Sequence, residues 1–400
     1  MITYHMPYPP SSGTSIRNYH LLKNIAGEHE VWIAAFVKAD EADDSVAHML
    51  EFCKGVEFVE SNQSRALDRP WEALKFLVRG RPIELRHYQS QELIKKIQRL
   101  TSTIDFDIVD IVDSHMGLYL EVLPSELRRK TVLTFIDVVY SKFDQISRLE
   151  PKLLRKLRTR VYSEMMRTWE PRNAERFGRC ITVSESDRQL ILSSNPGLEI
   201  DVIPNGIDTK QNQILPPSQN RPTLIYVGNM AYYPNIDAML YFCRDVYPNI
   251  KKRVPDIELW ITGINPPQEI QDLAREDIHV TGSVDDLLPY YERSTVCVVP
   301  LRAGGGTRLK ILEAMALGRP VVSTSVGCEG LEVVDGEHLF IADTPEQFVE
   351  KTLSLLEDGI LRQHFVAKAR ELVVKVYDWD VIAHQLLQTY IQVSNESTSK

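Results

Sequence analysis

Residues 300–323 read Pro-Leu-Arg-Ala-Gly-Gly-Gly-Thr-Arg-Leu-Lys-Ile-Leu-Glu-Ala-Met-Ala-Leu-Gly-Arg-Pro-Val-Val-Ser. This run predicts a strand, a glycine turn, a helix and a second strand. The apolar stretch 296–301 is short and β-branched, as suits a strand buried on both faces. Gly304, Gly305 and Gly306 have no side chains, so a ligand can approach the backbone closely. A helix is expected from near Thr307 to Gly318, just before Pro320. Its N-terminal N–H groups and positive dipole end then face the glycine turn, an arrangement suited to an anion. Gly306, Lys310 and Glu313 stand at i, i+4 and i+7 and share one stripe, beside an apolar stripe of Leu309, Leu312 and Ala316. Backbone donors, cations at Arg308 and Lys310 and a carboxylate at Glu313 suit a phosphate next to a hydroxylated ring, the chemistry of a nucleotide sugar. The plainer reading is a glycine turn that opens a helix for packing alone.

Other phosphate-binding classes lack their signatures. No G-x-G-x-x-G precedes the helix and no turn ends in Gly-Lys-Ser/Thr. The net charge of −9 argues against wholesale nucleic-acid binding. The five cysteines, at 53, 180, 243, 297 and 328, are scattered and form no Cys-x-x-Cys, so neither a zinc site nor a disulfide framework is indicated. No apolar run reaches the ~18 residues of a spanning helix, and residues near Met1 lack a basic segment followed by an apolar one. A cytoplasmic protein is the expectation.

At 400 residues, two domains are expected. Strand-like stretches at 2–5, 29–37, 56–60, 107–112, 131–136 and 180–183 are separated by helical ones, including long stretches at 64–100 and 145–177. A polar segment, 209–222, reads as a linker. A second alternation follows, with strands at 223–228, 257–263, 279–282, 296–300, 320–324 and 339–342. Two parallel, doubly wound α/β sheets follow from this pattern, with ligands at the carboxyl ends of their strands.

Glu313-Ala314-Met315-Ala316-Leu317-Gly318-Arg319-Pro320-Val321-Val322 resembles the donor-binding signature of glycosyltransferase family four, the "group 1" glycosyltransferases. The preceding Gly-Gly-Gly-Thr-Arg-Leu-Lys resembles one subset of that family. The resemblance is strong over 201–343, moderate over 7–37 and weaker between. It implies the GT-B fold, α/β, with two doubly wound Rossmann-like domains facing an interdomain cleft. Residues 1–208, rejoined by a helix at about 378–400, would form the acceptor-side domain, and 209–377 the nucleotide-sugar-binding domain.

The resemblance further implies a retaining, metal-independent glycosyltransferase, hexosyltransferase-like and acting in polysaccharide or glycoconjugate synthesis. A nucleotide-diphosphate sugar would be its co-substrate and no cofactor would be needed. Gly13, Gly228, Gly305, Gly306, Thr307, Arg308, Lys310 and Glu313 are the implied donor-binding residues, with Glu313 on the ribose. Where relatives carry a first glutamate that touches the transferred sugar, this chain has Gly305. Their phosphate-binding Arg and Lys are replaced by Asn229 and by Pro234-Asn235, which leaves Arg308 and Lys310 as the substitutes. Thr134-Phe135-Ile136-Asp137-Val138 aligns with the family's Val-His-Asp segment and keeps only the carboxylate, so Asp137 is the candidate catalytic residue, able to orient a hydroxyl or accept its proton. A sugar-nucleotide epimerase on the same fold and an inactive sugar-nucleotide-binding protein are the alternatives.

Asp105-Phe106-Asp107 matches a metal-binding pattern in form only, because it opens a strand instead of closing one. Asp285-Asp286 reads as a helix cap, beside a Gly282–Val284 backbone that could touch the base. The acceptor is expected to be a sugar, a lipid-linked or another small molecule. Residues 148–179 hold ten Lys/Arg against four Glu, interleaved with Leu149, Leu153, Leu154, Leu157, Val161, Met165 and Trp169. Two readings are open: an amphipathic element that settles on anionic lipid at the inner membrane face, or a long helix with a solvated basic face and its apolar stripe in the core.

Overall fold

The computed structural model describes residues 1–61, 76, 78–150, 152–218, 221–304 and 308–398. The chain divides into two compact units, Met1–Pro204 with Ile382–Lys400, and Asn205–Val381.

In the first unit the described strands are β1 (Ile2–His5), β2 (Trp32–Val37), β3 (Gly55–Glu60), β4 (Val109–Val112), β5 (Thr131–Phe135), β6 (Arg179–Thr182) and β7 (Ile200–Val202). They form one parallel sheet in the order β3-β2-β1-β4-β5-β6-β7. β4 and β5 are buried along their whole length, as their Val/Ile/Leu-rich sequences require of strands covered on both faces. The order reverses between β1 and β4, and there the chains leave the sheet in opposite directions and open a crevice at the carboxyl ends. β7, which the sequence reading did not include, pairs with β6 at the sheet edge.

The long helix expected over 145–177 is two helices, Val139–Leu149 and Leu153–Ala174. Glu150 is extended (φ −70°, ψ 118°), because the residue before a proline, here Pro151, is pushed out of helical geometry. Of the helical stretch expected over 64–100, residues 64–75 and 77 lie outside the described residues; past Gly80 and Pro82 the chain forms a short 3-10 turn, Ile83–Tyr88, and then the Gln91–Thr103 helix. The C-terminal helix, Trp379–Thr398, is fastened to the first unit. Tyr390 donates its hydroxyl to Asp110 Oδ2 (2.6 Å), Thr389 donates to Asp201 Oδ2 (2.8 Å) and Arg179 pairs with Glu396 (2.9 Å).

The second unit holds β8 (Thr223–Val227), β9 (Glu258–Thr262), β10 (Ile278–Gly282), β11 (Val296–Val299), β12 (Val321–Ser323) and β13 (Phe340–Ile341). This sheet is also parallel, in the order β10-β9-β8-β11-β12-β13, and reverses between β8 and β11. β8 and β11 are wholly buried. The described part of 209–222 is no free tether: Arg370 donates to the carbonyls of Thr209 (2.7 Å) and Asn212 (2.6 Å), and Arg319 to that of Pro216 (2.8 Å). Its polar backbone is satisfied by arginines of the second unit. Among the described residues, no helix is long and apolar enough to cross a membrane.

Glu170 is a buried polar anchor of the first unit. Its carboxylate accepts from the Ser114 hydroxyl (2.6 Å) and from the N–H groups of Val139 (3.2 Å) and Tyr140 (3.0 Å). Burial pushes this carboxyl up to about 7, against the pull of the Ser114 and Tyr140 bonds and of His115. A carboxyl raised on folding favours the folded state below its unfolded value, near 4.5, and that contribution is lost as pH rises through about 7. Thermal unfolding of the first unit is therefore expected at falling temperature across that window, with a flatter profile in Glu170→Gln. Glu170→Ala strands three buried donors and should cost about 3 kcal/mol or more at every pH. Denaturation of Glu170→Ala indistinguishable from wild type would remove the anchor role.

Candidate active site

Gly304 follows β11, and Gly228 follows β8. Both therefore lie at the strand-order reversal of the second sheet. The following helix is Leu309–Ala316, slightly shorter than expected, with Arg308 as its N-cap residue. Ile311, Leu312, Ala314, Met315 and Ala316 are buried, so apolar packing holds the helix rigidly. Gly318 (φ +71°) ends it in a conformation that favours glycine. The first turn holds Arg308 and Lys310 and no acid, an unfavourable placement for cations that a bound anion would offset.

Lys310 Nζ donates to the Tyr226 hydroxyl (2.8 Å) and to Asn235 Oδ1 (3.0 Å). Tyr226 also donates to Asn235 Oδ1 (2.6 Å), and Asn235 Nδ2 donates to the Asn229 carbonyl (2.8 Å). The ammonium thus arrives from the 309–316 helix at the position that the sequence had left without its expected lysine. A Cβ placed on Gly228 would lie 2.9 Å from Lys310 Nζ and 3.1 Å from Asn235 Nδ2, so a larger residue there would displace the amine. Burial, and then the charge of Arg308, push Lys310 down to about 7.

Glu313 accepts from the Tyr291 hydroxyl at Oε2 (3.0 Å). Burial pushes its carboxyl up to about 7, although Tyr291 and Lys310 favour the charged form. Arg308 is 8% exposed. It lies against Gly304 (φ +122°), where a Cβ would come within 3.1 Å of Nη2. Gly228, Arg308, Lys310 and Glu313 are thus gathered around one crevice end. Gly305, Gly306 and Thr307 lie outside the described residues. The sequence reading missed Tyr226 and Tyr291, which sit in apolar runs that read as core.

In the first unit, Gly13 is the first residue of the Gly13–Ile25 helix, capped by a reciprocal pair in which Ser15 N–H donates to Ser12 Oγ (3.2 Å) and Ser12 N–H to Ser15 Oγ (2.8 Å). Asp137 follows β5 and pairs with Lys142 (2.6 Å). A neighbouring group at the end of β4 was not anticipated. Asp113 holds a left-handed φ of 78°, costly for a residue with a side chain and a pointer to function when the surroundings enforce it. His115 Nδ1 lies 2.5 Å from Asp113 Oδ1, and its Nε2 lies 2.8 Å from the Tyr162 hydroxyl. The Tyr88 ring stacks on His115.

Burial works against the charged form of Asp113, yet the charge and hydrogen bonds of His115, with Lys142, hold its carboxyl below the usual value. Burial likewise opposes charge on His115, but Asp113 and Glu170 win and raise it. Lys142 therefore links Asp113 and Asp137, carboxylates at the ends of adjacent parallel strands. Asp113 follows the strand-like stretch 107–112 as Asp137 follows that at 131–136, so its position at a strand end is visible in the sequence although its strained backbone is not. Asp105 and Asp107 precede β4, at the end away from this crevice. Asp286 accepts from the N–H of Leu288 (2.9 Å), the first residue of the Leu288–Arg293 helix, but the N-cap position itself falls to Leu287, which makes no side-chain cap.

The family model "Glycosyltransferase Family 4" matches residues 11–211, half of the chain, and "Glycosyl transferases group 1" matches 221–358. The chain belongs to glycosyltransferase family 4. Its relatives include the phosphatidyl-myo-inositol mannosyltransferase of Mycobacterium leprae, 26% identical over 249 residues, or 60% of this chain. That match spans 64% of the relative's own length. Sucrose-phosphate synthase from Thermosynechococcus elongatus superimposes with a TM-score of 0.69 at 16% identity, covering 98% of each chain. Anabaena HepE, solved with UDP-glucose, gives a TM-score of 0.61 at 14% identity, covering 98% of this chain and 99% of its own. These structural likenesses establish the fold, GT-B with two doubly wound parallel-sheet domains.

Proposed function

We propose that this family 4 member is a retaining glycosyltransferase that moves a sugar from a nucleotide-diphosphate sugar to an acceptor in polysaccharide or glycoconjugate synthesis. The observation that carries the reading is the enclosure of Lys310, Arg308 and Glu313 at the β8/β11 reversal. The charges of Arg308 and Lys310 oppose one another, and a diphosphate placed between them would relieve that repulsion. Glu313 then accepts from the ribose hydroxyls, and Gly305, Gly306 and Thr307 are assigned to the phosphates on the sequence resemblance alone. Fixed donors and cations stabilise the leaving diphosphate without reorganising. HepE, of the same fold, was solved with UDP-glucose, which supports a nucleotide sugar here. In the first unit, Asp137, beside Lys142 and Asp113, orients the acceptor hydroxyl.

A thermal-shift panel of nucleoside diphosphates and their sugars tests the donor reading: one base should stabilise the protein by several kcal/mol at saturation. No shift with any of them would refute it.

The proposal includes metal independence. Among the described residues, no three His, Cys, Asp or Glu side chains are grouped to hold a metal ion, and the cations supply the charge that a metal would. Transfer activity should survive EDTA unchanged. Activity lost with EDTA and restored by Mg²⁺ or Mn²⁺ would contradict this and would reopen Asp105 and Asp107.

The affinity for a nucleoside diphosphate should peak near pH 7. In the empty site Lys310 loses its proton above about 7, so at higher pH the anion must bring a proton back, and affinity falls by up to tenfold per pH unit. Below about 7 Glu313 is neutral and its bonds to ribose weaken. Calorimetric titrations across pH give the profile, and a flat one would remove both groups from the site. The acceptor is a sugar, a lipid-linked or another small molecule, and a cytoplasmic location is part of the same proposal.

A further inference from the structure

The first two and a half turns of the Leu153–Ala174 helix project into solvent, although the rest of it is packed through Tyr162, Met166, Trp169 and Ala174. Leu153 is 78% exposed, Leu154 83%, Leu157 59% and Val161 51%. At 3.6 residues per turn these four fall within an arc of about 100° and span about 12 Å of helix. Lys152, Arg155, Lys156, Arg158 and Arg160 border that arc and cover the other faces, with no acidic residue between positions 152 and 163. Among the described residues, none of the five forms an ion pair. Four large apolar side chains in water are costly to leave bare, and five cations concentrated on a chain of net charge −9 run against its average.

We propose that this helix end docks on an anionic lipid bilayer, with Leu153, Leu154, Leu157 and Val161 at the headgroup–acyl boundary and the five basic side chains on the headgroups. Two features select a bilayer over a protein. The apolar arc holds four side chains, far short of the ~20–30 residues a side of a stable protein interface. Its depth of a single side-chain layer fits the ~5–10 Å by which amphipathic helices enter a membrane surface. The cations around the arc match a planar array of phosphates, and their long stems let the charged ends reach it while the leucines insert. This inference is independent of the donor reading, because it concerns a surface that binds without turnover.

The test is co-sedimentation of the full chain with phosphatidylcholine vesicles, with and without phosphatidylglycerol, at low and high salt. Binding is expected only with the anionic lipid, weakening at least about tenfold at high salt. Leu154→Gln with Leu157→Gln should lower it by roughly tenfold or more, with unchanged circular dichroism, because both positions are exposed. All five native cysteines are buried, so a Leu154→Cys variant takes an environment-sensitive dye selectively, and its emission should shift to the blue on anionic vesicles alone. Absence of binding, binding unaffected by the paired substitution, or a lipid-free dimer that the same substitution dissolves would each overturn the proposal.

Discussion

Glu313→Ala is expected to weaken nucleotide-sugar binding about 10- to 150-fold, while the protein still folds. The carboxylate sits beside Lys310 and is held by Tyr291. Its bonds to ribose hydroxyls should contribute roughly 1.5–3 kcal/mol, the range for hydrogen bonds to a charged group. Glu313→Gln separates charge from shape, because its amide oxygen still accepts from Tyr291 and only the ionic character is lost. It should fall between wild type and alanine in affinity, with less dependence on pH below 7. Wild-type kinetics in a folded Glu313→Ala variant would sink the ribose assignment.

Lys310→Met should have the larger effect on the diphosphate and little on the nucleoside. Methionine fills the buried space, and Tyr226 keeps its bond to Asn235. What disappears is an ammonium aimed at the crevice, whose bonds to phosphate oxygens are each of the charge-assisted kind. A loss of about a hundredfold or more in diphosphate affinity is expected, with nucleoside affinity within a few-fold of wild type. The unfolding temperature should not drop, since a buried amine pushed down to about 7 resists its own charge. A substitution that weakened nucleoside and diphosphate equally would show that Lys310 shapes the pocket without meeting the phosphates.

Much of this was legible in the chain, and for definite reasons. Buried parallel strands are nearly continuous apolar runs, so β4, β5, β8 and β11 stood out, to within two residues at their ends. The polar exceptions on a helix otherwise buried, Lys310 and Glu313, advertised themselves by stripe and spacing. Tyr226 and Tyr291 did not, because a phenol counts as apolar until its hydroxyl is seen to meet a lysine or a glutamate. Asp113 and His115 were hidden because a backbone strained to φ 78° has no sequence signature outside glycine and asparagine. The split of the 145–177 stretch was foreshadowed by Pro151 and was overridden by a continuous basic-apolar pattern on both sides.

The linker reading followed composition alone. Whether a polar segment floats or is tied down depends on distant arginines, here Arg319 and Arg370. The exposure of Leu153, Leu154 and Leu157 could not be told from a core stripe by periodicity, since both place leucines on one face.

The central claim is that the Lys310–Glu313 crevice holds a nucleoside diphosphate without metal. Calorimetric titration of wild type and Lys310→Met with UDP, GDP and ADP, in EDTA at pH 7, tests it most directly. The account predicts that one of the three binds the wild type and binds Lys310→Met about a hundredfold more weakly or worse. Binding of none of them, or equal binding to both proteins, would contradict it.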